Sequence, residues 1–175
     1  MGESAAAHAP LLISFLTNKD RQVSNNAAYS IGRIGGSIAE HAPSLIVLLK
    51  HKEKYVRDNT IKSLKKLGKS VKGHIPSLIV LLKHNEKYVR ESAIQALRNL
   101  GESVKDHVPS LIVLLKHKEK DVRESAIHVL RNLGESVKDH IPSLIPLLKD
   151  KDINLRQSVV QVLGNMGKLA IAQVP

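Results

Sequence analysis

Residues 107–139 read HVPSLIVLLKHKEKDVRESAIHVLRNLGESVKD. Two apolar patterns run through them: Val108, Leu111, Ile112, Leu114 and Leu115, then Val122, Ala126, Ile127, Val129, Leu130 and Leu133. Both step by three and four residues, the spacing that lines one face of a helix. The polar run Lys116–Lys120 between them predicts a short turn. Gly134 follows the second pattern, where a helix ends easily because glycine reaches positive φ without a side-chain clash. Ser136 and Asp139 outline a capping box for the next helix, as do Ser103 with Asp106 and Ser37 with Glu40. Pro142 then falls about two turns inside that helix, and its missing N–H predicts a kink there. The stretch therefore encodes a kinked helix A, a basic turn and a straighter helix B. The LIVLL runs at 45–49, 78–82 and 111–115 have strand composition, but they sit inside helical patterns.

The same pattern recurs along the whole chain. Proline stands at 10, 43, 76, 109, 142 and 175, glycine at 2, 35, 68, 101, 134 and 167, and histidine at 8, 41, 74, 107 and 140, every step being 33 residues. A fixed period of this size predicts stacked supersecondary units that bury their apolar faces against one another. The units run 8–40, 41–73, 74–106, 107–139 and 140–172, with a partial unit at each end, in a single domain over 1–175. The predicted fold class is all-α, an α-α solenoid of about ten helices in five pairs.

Neither the ankyrin TPLHxA motif nor the tetratricopeptide tryptophan-glycine-tyrosine pattern is present. Pro76 in helix A, Glu86 in the turn, Val89-Arg90 opening helix B, the small Ala93 and the closing Leu100-Gly101 instead resemble the HEAT repeat family, in the short form similar to phycobilisome-lyase HEAT domains. The resemblance covers residues 2–175. It implies B helices on a concave face, A helices on a convex one, and an acid and an arginine that help tie adjacent repeats together. It says little about function, because such folds host many unrelated tasks. Repeat 1 departs from the pattern with Ser24 in place of the arginine, and repeat 5 has an extra Pro146. Neither end reads as a polar cap, so the chain is expected to be a segment of a longer array or to meet partners at its ends. Leu169, Ile171 and Val174 in particular predict weak end-to-end self-association.

Hydrophobic residues make up 42% of the 175, enough for one continuous core, and aromatics only 2%, so that core is aliphatic. The absence of cysteine excludes disulfides and thiolate metal sites. No apolar run approaches the ~20 residues of a membrane span, and no signal peptide is visible. The expected location is the cytoplasm, with the nucleus as second choice.

The net charge of +11 is uneven: repeat 2 has nine Lys or Arg against Glu53 and Asp58, a net +7. Arg98 and Arg131 have Glu102 and Glu135 one helical turn on, whereas Lys65 has Lys69. Lys62, Lys65, Lys66 and Lys69 thus form a basic helix-B face in repeat 2, joined by Arg33 from the preceding unit. Tyr29, Tyr55 and Tyr88 map to the turn or the outer face of helix B, and tyrosine and arginine are favoured interface anchors. These ten residues, Arg98 and Arg131 included, are the candidate partner-binding set. Val47, Val80 and Val113 form a further apolar stripe on the outer side of helix A.

Other constellations have duller readings. The arginine row Arg57, Arg90, Arg123 and Arg156 follows Glu53, Glu86, Glu119 and Asp152 by four residues, the favourable order for helical ion pairs, and is expected to be structural. Five of the nine histidines hold one repeat position, and His51, His84 and His117 another. Neighbours in a row stand about 10 Å apart, too far to share an ion, so no metal site is expected. Nor is there a nucleophile-base pair, a phosphate loop or a ligand cluster, so no catalytic site and no cofactor are expected.

The resemblance thus implies a non-catalytic HEAT-like scaffold that binds a protein through its concave helix-B face, and the basic patch of repeat 2 favours an acidic partner. Nucleic-acid backbone binding is the alternative, weakened by the lack of tryptophan and the single Phe15. A bilin-lyase-like enzyme accessory ranks third, and no membrane association is expected.

Overall fold

The computed structural model describes residues 7–164, which are helical with no strand among them. The residues fall into two units that divide at Leu100 and Gly101.

In the first unit the helices are α1 (Ala9–Phe15), α2 (Arg21–Ile34), α3 (Ala42–Leu48), α4 (Lys54–Leu67), α5 (Ile75–Leu81) and α6 (Lys87–Leu100). Each short odd-numbered helix pairs with the long even-numbered one that follows, and α2, α4 and α6 pack side by side. The second unit holds α7 (Val108–Leu114), α8 (Lys120–Leu133), α9 (Ile141–Leu144) and α10 (Ile153–Gly164), with α8 against α7 and α10. The cores are aliphatic as composition requires: Leu45, Leu64, Leu78 and Leu97 are fully enclosed in the first unit, Leu111 and Leu115 in the second.

Two expectations about helix A are corrected. The residues after each glycine are not the first turns of an α-helix but seven-residue 3-10 segments, Gly35–His41, Gly68–His74, Gly101–His107 and Gly134–His140. The α-helix starts after the histidine, so Pro43, Pro76, Pro109 and Pro142 lie in its first turn. There a backbone N–H has no helical partner and proline's fixed φ fits, so proline opens the helix rather than kinking it. The capping boxes of Ser37 with Glu40 and of Ser136 with Asp139 are not formed either: the segments opened by Gly35 and Gly134 have no side-chain cap. Ser136 instead donates a short hydrogen bond to Glu102, one repeat back. Pro146 does disturb repeat 5, where α9 has four residues against seven in α7 and a 3-10 segment, Ile145–Lys149, completes helix A.

The turns are built by side chains that copy backbone. His51 Nδ1 accepts the Glu53 N–H at 3.1 Å, His84 that of Glu86 at 3.1 Å and His117 that of Glu119 at 3.2 Å. Asn18 does the same for Asp20 in repeat 1, and Asp150 for Asp152 in repeat 5. The second histidine row is therefore a turn-forming device, equivalent to the Asx turn.

The arginine row closes the same turns, but not through its acids. Arg57 Nη1 donates to the carbonyls of His51 and Lys52, both at 2.7 Å. Arg90, Arg123 and Arg156 repeat the pattern at 2.7–3.1 Å. Glu53 and Glu119 are N-cap residues in extended backbone. Their side chains leave the helix there, and neither pairs with its arginine. Ion pairs one turn apart do form at Lys54–Asp58, Lys87–Glu91 and Lys120–Glu124, all exposed. Such pairs contribute little.

Candidate partner-binding surface

Residues from α2 and α4 form a shallow groove of about 280 Å³ lined by Asn25, Ala28, Tyr29, Lys62 and Lys66. Tyr29 is 57% exposed, and the Lys66 ammonium lies 5.1 Å from its ring centroid. That distance is a cation–π contact. Lys62 Nζ donates to Asn59 Oδ1 at 3.3 Å. Lys65 is exposed on the same helix.

Gly32 makes this arrangement fit. A Cβ there would stand 2.0 Å from Lys66 Cδ and 2.8 Å from Lys66 Cβ. The distal methylene can swing away, but the Cβ moves only with α4. An alanine gains about 0.5–1 kcal/mol of helix propensity over glycine, and overpacking typically costs about 1–3 kcal/mol. Gly32→Ala is therefore expected to lower stability by about 1 kcal/mol in urea unfolding. A more stable variant would show that α4 yields freely.

The other candidate residues are dispersed. Tyr55 is half-buried, donates from its hydroxyl to the Asn18 carbonyl at 3.0 Å and has the Arg21 guanidinium 5.6 Å from its ring. Tyr88 is half-buried with Arg57 at 4.7 Å. Each of these tyrosines packs on the repeat before it, so of the three only Tyr29 presents most of its surface. Lys69 lies past Gly68, in a 3-10 segment, so spacing along α4 no longer aims it with Lys62 and Lys65. Arg33 and Arg131 are exposed, as is Arg98 at the end of α6. Arg131 has no ion pair with Glu135, because Gly134 ends the helix between them. Val47, Val80 and Val113 are exposed as their spacing predicts.

At the start of α10, the Asn154 N–H bonds the Asp152 carboxylate and, with Asn154's side chain, Leu155's N–H and the Arg123 charge, holds its pKa below the usual aspartate range. Of this surface the sequence does not point to Asn25, Ala28 or Gly32. The one available signal is Gly32 itself, a glycine inside a helix-B pattern where the next repeat has Lys65.

Helix hairpins recurring at a 33-residue step, stacked through their B helices within each unit, define an α-helical repeat protein. The HEAT repeats family model matches residues 9–98, 75–139 and 108–174, and the chain belongs to that family. Among solved structures, the TOG-domain protein crescerin is similar at 19% identity, over 94% of this chain and 82% of that one, with a TM-score of 0.59. The CpcE–CpcF phycocyanin lyase complex of Nostoc sp. PCC7120 matches at 23% identity over 91% of this chain and 65% of that one, with a TM-score of 0.49. The archaeal HEAT-like repeats protein of Thermococcus onnurineus NA1 matches at 15% identity over 94% and 75%, with a TM-score of 0.43. No curated protein matches the sequence. No described helix is long and apolar enough to cross a membrane.

Proposed function

We propose that this chain is a non-catalytic HEAT-repeat scaffold that binds an acidic protein partner on the helix-B face of repeats 1 and 2. The observation that carries the reading is the groove between α2 and α4, where Lys62 and Lys66 flank an exposed tyrosine. Lys65 extends the positive field along α4, and the one acid of that helix, Asp58, is engaged by Lys54 at 3.3 Å. A carboxylate-rich segment laid in the groove would meet two ammonium groups and an aromatic anchor together. Lys69 and Arg33 add charge at the ends, and the contacts weaken with salt because screening acts over about 8 Å at physiological ionic strength.

The test compares two fourfold variants against a labelled poly-glutamate peptide and a labelled DNA duplex. Glutamate replaces Lys62, Lys65, Lys66 and Lys69 in one, and the exposed turn residues Lys116, Lys118, Lys149 and Lys151 in the other. The first is expected to lose at least about tenfold in peptide affinity, or 1.4 kcal/mol, and the second to keep most of it. Loss in the turn variant alone would place the surface elsewhere. Equal loss of duplex binding in both, with a steep salt dependence, would favour backbone binding of nucleic acid.

A further inference from the structure

Beneath the basic groove runs a buried polar chain that ends at one of its lysines. Leu16 follows α1, and its carbonyl is one of those that a helix end leaves without a helical partner. The Ser24 hydroxyl on α2 donates to that carbonyl at 2.7 Å. Its one hydrogen is then committed, so toward α4 the Ser24 oxygen can only accept. Asn59 of α4 meets it with its amide nitrogen, Nδ2 donating at 2.8 Å. The amide oxygen is thereby turned the other way, where Lys62 Nζ donates to it at 3.3 Å. Leu16, Ser24 and Asn59 are all enclosed, whereas Lys62 is exposed and lines the groove. The order of donors and acceptors inside the protein thus decides which end of a buried amide a surface lysine meets.

The later described repeats are built otherwise. The position of Asn59 is there Ser92, Ser125 and Ser158. Those hydroxyls donate to the carbonyl four residues back, of Tyr88, Asp121 and Asn154, at 2.7–2.8 Å. The position of Lys62 is Gln95, His128 and Gln161. Among the described residues, a buried amide that reaches a surface ammonium therefore occurs where the groove lies. Of the other lysines of α4, Lys66 rests on the Tyr29 ring, while Lys65 is exposed with no partner among the described residues. Leu169, Ile171 and Val174, the apolar residues expected to carry end-to-end contacts, lie outside the described residues.

We propose that Asn59 is a positioning residue for partner binding: enclosed and out of the partner's reach, it holds the Lys62 ammonium in place for an acidic side chain. The inference rests on the groove being the partner site. An ammonium has three hydrogens, so a carboxylate can accept from Lys62 while the bond to Asn59 persists. Immobilising a long side chain opposes association, and for Lys62 folding has already done part of it. Lys65 carries the same charge on the same helix but is ordered only on contact. Lys62 therefore contributes more to affinity than Lys65, through a residue that the partner never touches.

The test uses Asn59→Ser in the full chain. Serine is what the later repeats carry at this position, and its hydroxyl can turn to the Tyr55 carbonyl as its counterparts do. The variant keeps the Lys62 charge and removes its acceptor. Carbon-13 relaxation of the lysine ε-methylenes reads picosecond-to-nanosecond order with no partner present. Lys62 is expected to be more ordered than Lys65 in the wild type and to fall to the level of Lys65 in Asn59→Ser. Affinity for labelled poly-glutamate is expected to drop about three- to tenfold, the effect of leaving one lysine to be ordered on binding. That drop should vanish in a Lys62→Met background and persist in Lys66→Met. Ser63→Ala is the structural control: Ser63 is equally enclosed on α4 and donates to the Asn59 backbone carbonyl at 3.0 Å. It should lower the urea midpoint and leave affinity unchanged. A wild-type Lys62 as mobile as Lys65 overturns the proposal. So does a drop that survives in Lys62→Met, or an equal drop in Ser63→Ala. A wild-type chain that fails to bind the peptide overturns the function proposed for the groove, and the relaxation comparison then still decides whether Asn59 holds Lys62.

Discussion

Arg123→Ala is expected to destabilise the protein by about 1.5–3 kcal/mol, the range for hydrogen bonds from a charged donor. Arg123 is 7% exposed, and its Nη1 donates to the carbonyls of His117 and Lys118 at 2.8 and 2.9 Å. Those carbonyls belong to the turn between α7 and α8, where no helix supplies them a partner. Alanine removes both bonds and the methylene packing of the side chain, and the guanidinium has no equal substitute, since lysine lacks the planar fork. Arg131→Ala serves as the control, because that side chain is exposed on the same helix and surface substitutions usually stay within about 0.5 kcal/mol. Urea unfolding of both variants decides the matter: equal midpoints would remove the arginine row from the account of stability.

A second large effect is expected from Gly134→Ala, for a purely backbone reason. Gly134 has φ 51° and ψ −122°, and nothing lies within 4 Å of where a Cβ would sit. Space is therefore not the obstacle. The conformation is, since positive φ with strongly negative ψ is a region that residues with a side chain rarely enter, at about 1–3 kcal/mol each. Gly164→Ala is the matched comparison: it too has an open Cβ position but lacks the positive φ. It should be neutral or slightly stabilising. Thermal midpoints that fall equally in the two variants would refute the backbone explanation.

The helix-pair architecture was readable because its signal is spacing, and spacing survives folding. The patterns over Val108–Leu115 and Val122–Leu133 became α7 and α8 with their intervening turn. Where the structure departs from the pattern, the cause lies in dihedral angles that sequence only restricts. Gly134 was expected to stop a helix, and it does, but its ψ directs the chain into a 3-10 segment. Ser136 then faces the previous repeat instead of capping its own helix. The acid–arginine pairs failed for a related reason: spacing of four places two side chains on one face only if both lie inside the helix, and Glu53 and Glu119 lie at its edge. The candidate surface was less legible than the fold. Tyr29, Tyr55 and Tyr88 look alike in the sequence, and the fate of each is set by the neighbouring repeat. Tyr55 finds the free carbonyl of Asn18, while Tyr29 meets only the flexible Lys66.

The buried bond between Asn59 and Ser24 bears on how such a chain can change over time. Tandem copies this similar recombine readily, since misaligned DNA can delete or duplicate a copy without breaking the reading frame. Ser24 donates to the Leu16 carbonyl at 2.7 Å and receives Asn59, filling with two small side chains the position that an arginine holds in every later copy. A second repeat transplanted behind the fourth would bring Asn59 up to Arg123, a far larger side chain already committed to the His117 and Lys118 carbonyls. A crossover that removed only the first copy would leave Asn59 facing solvent. Slippage among the later copies meets no such mismatch, so that one bond acts as a bookmark, fixing which copy stands second while the others remain free to multiply.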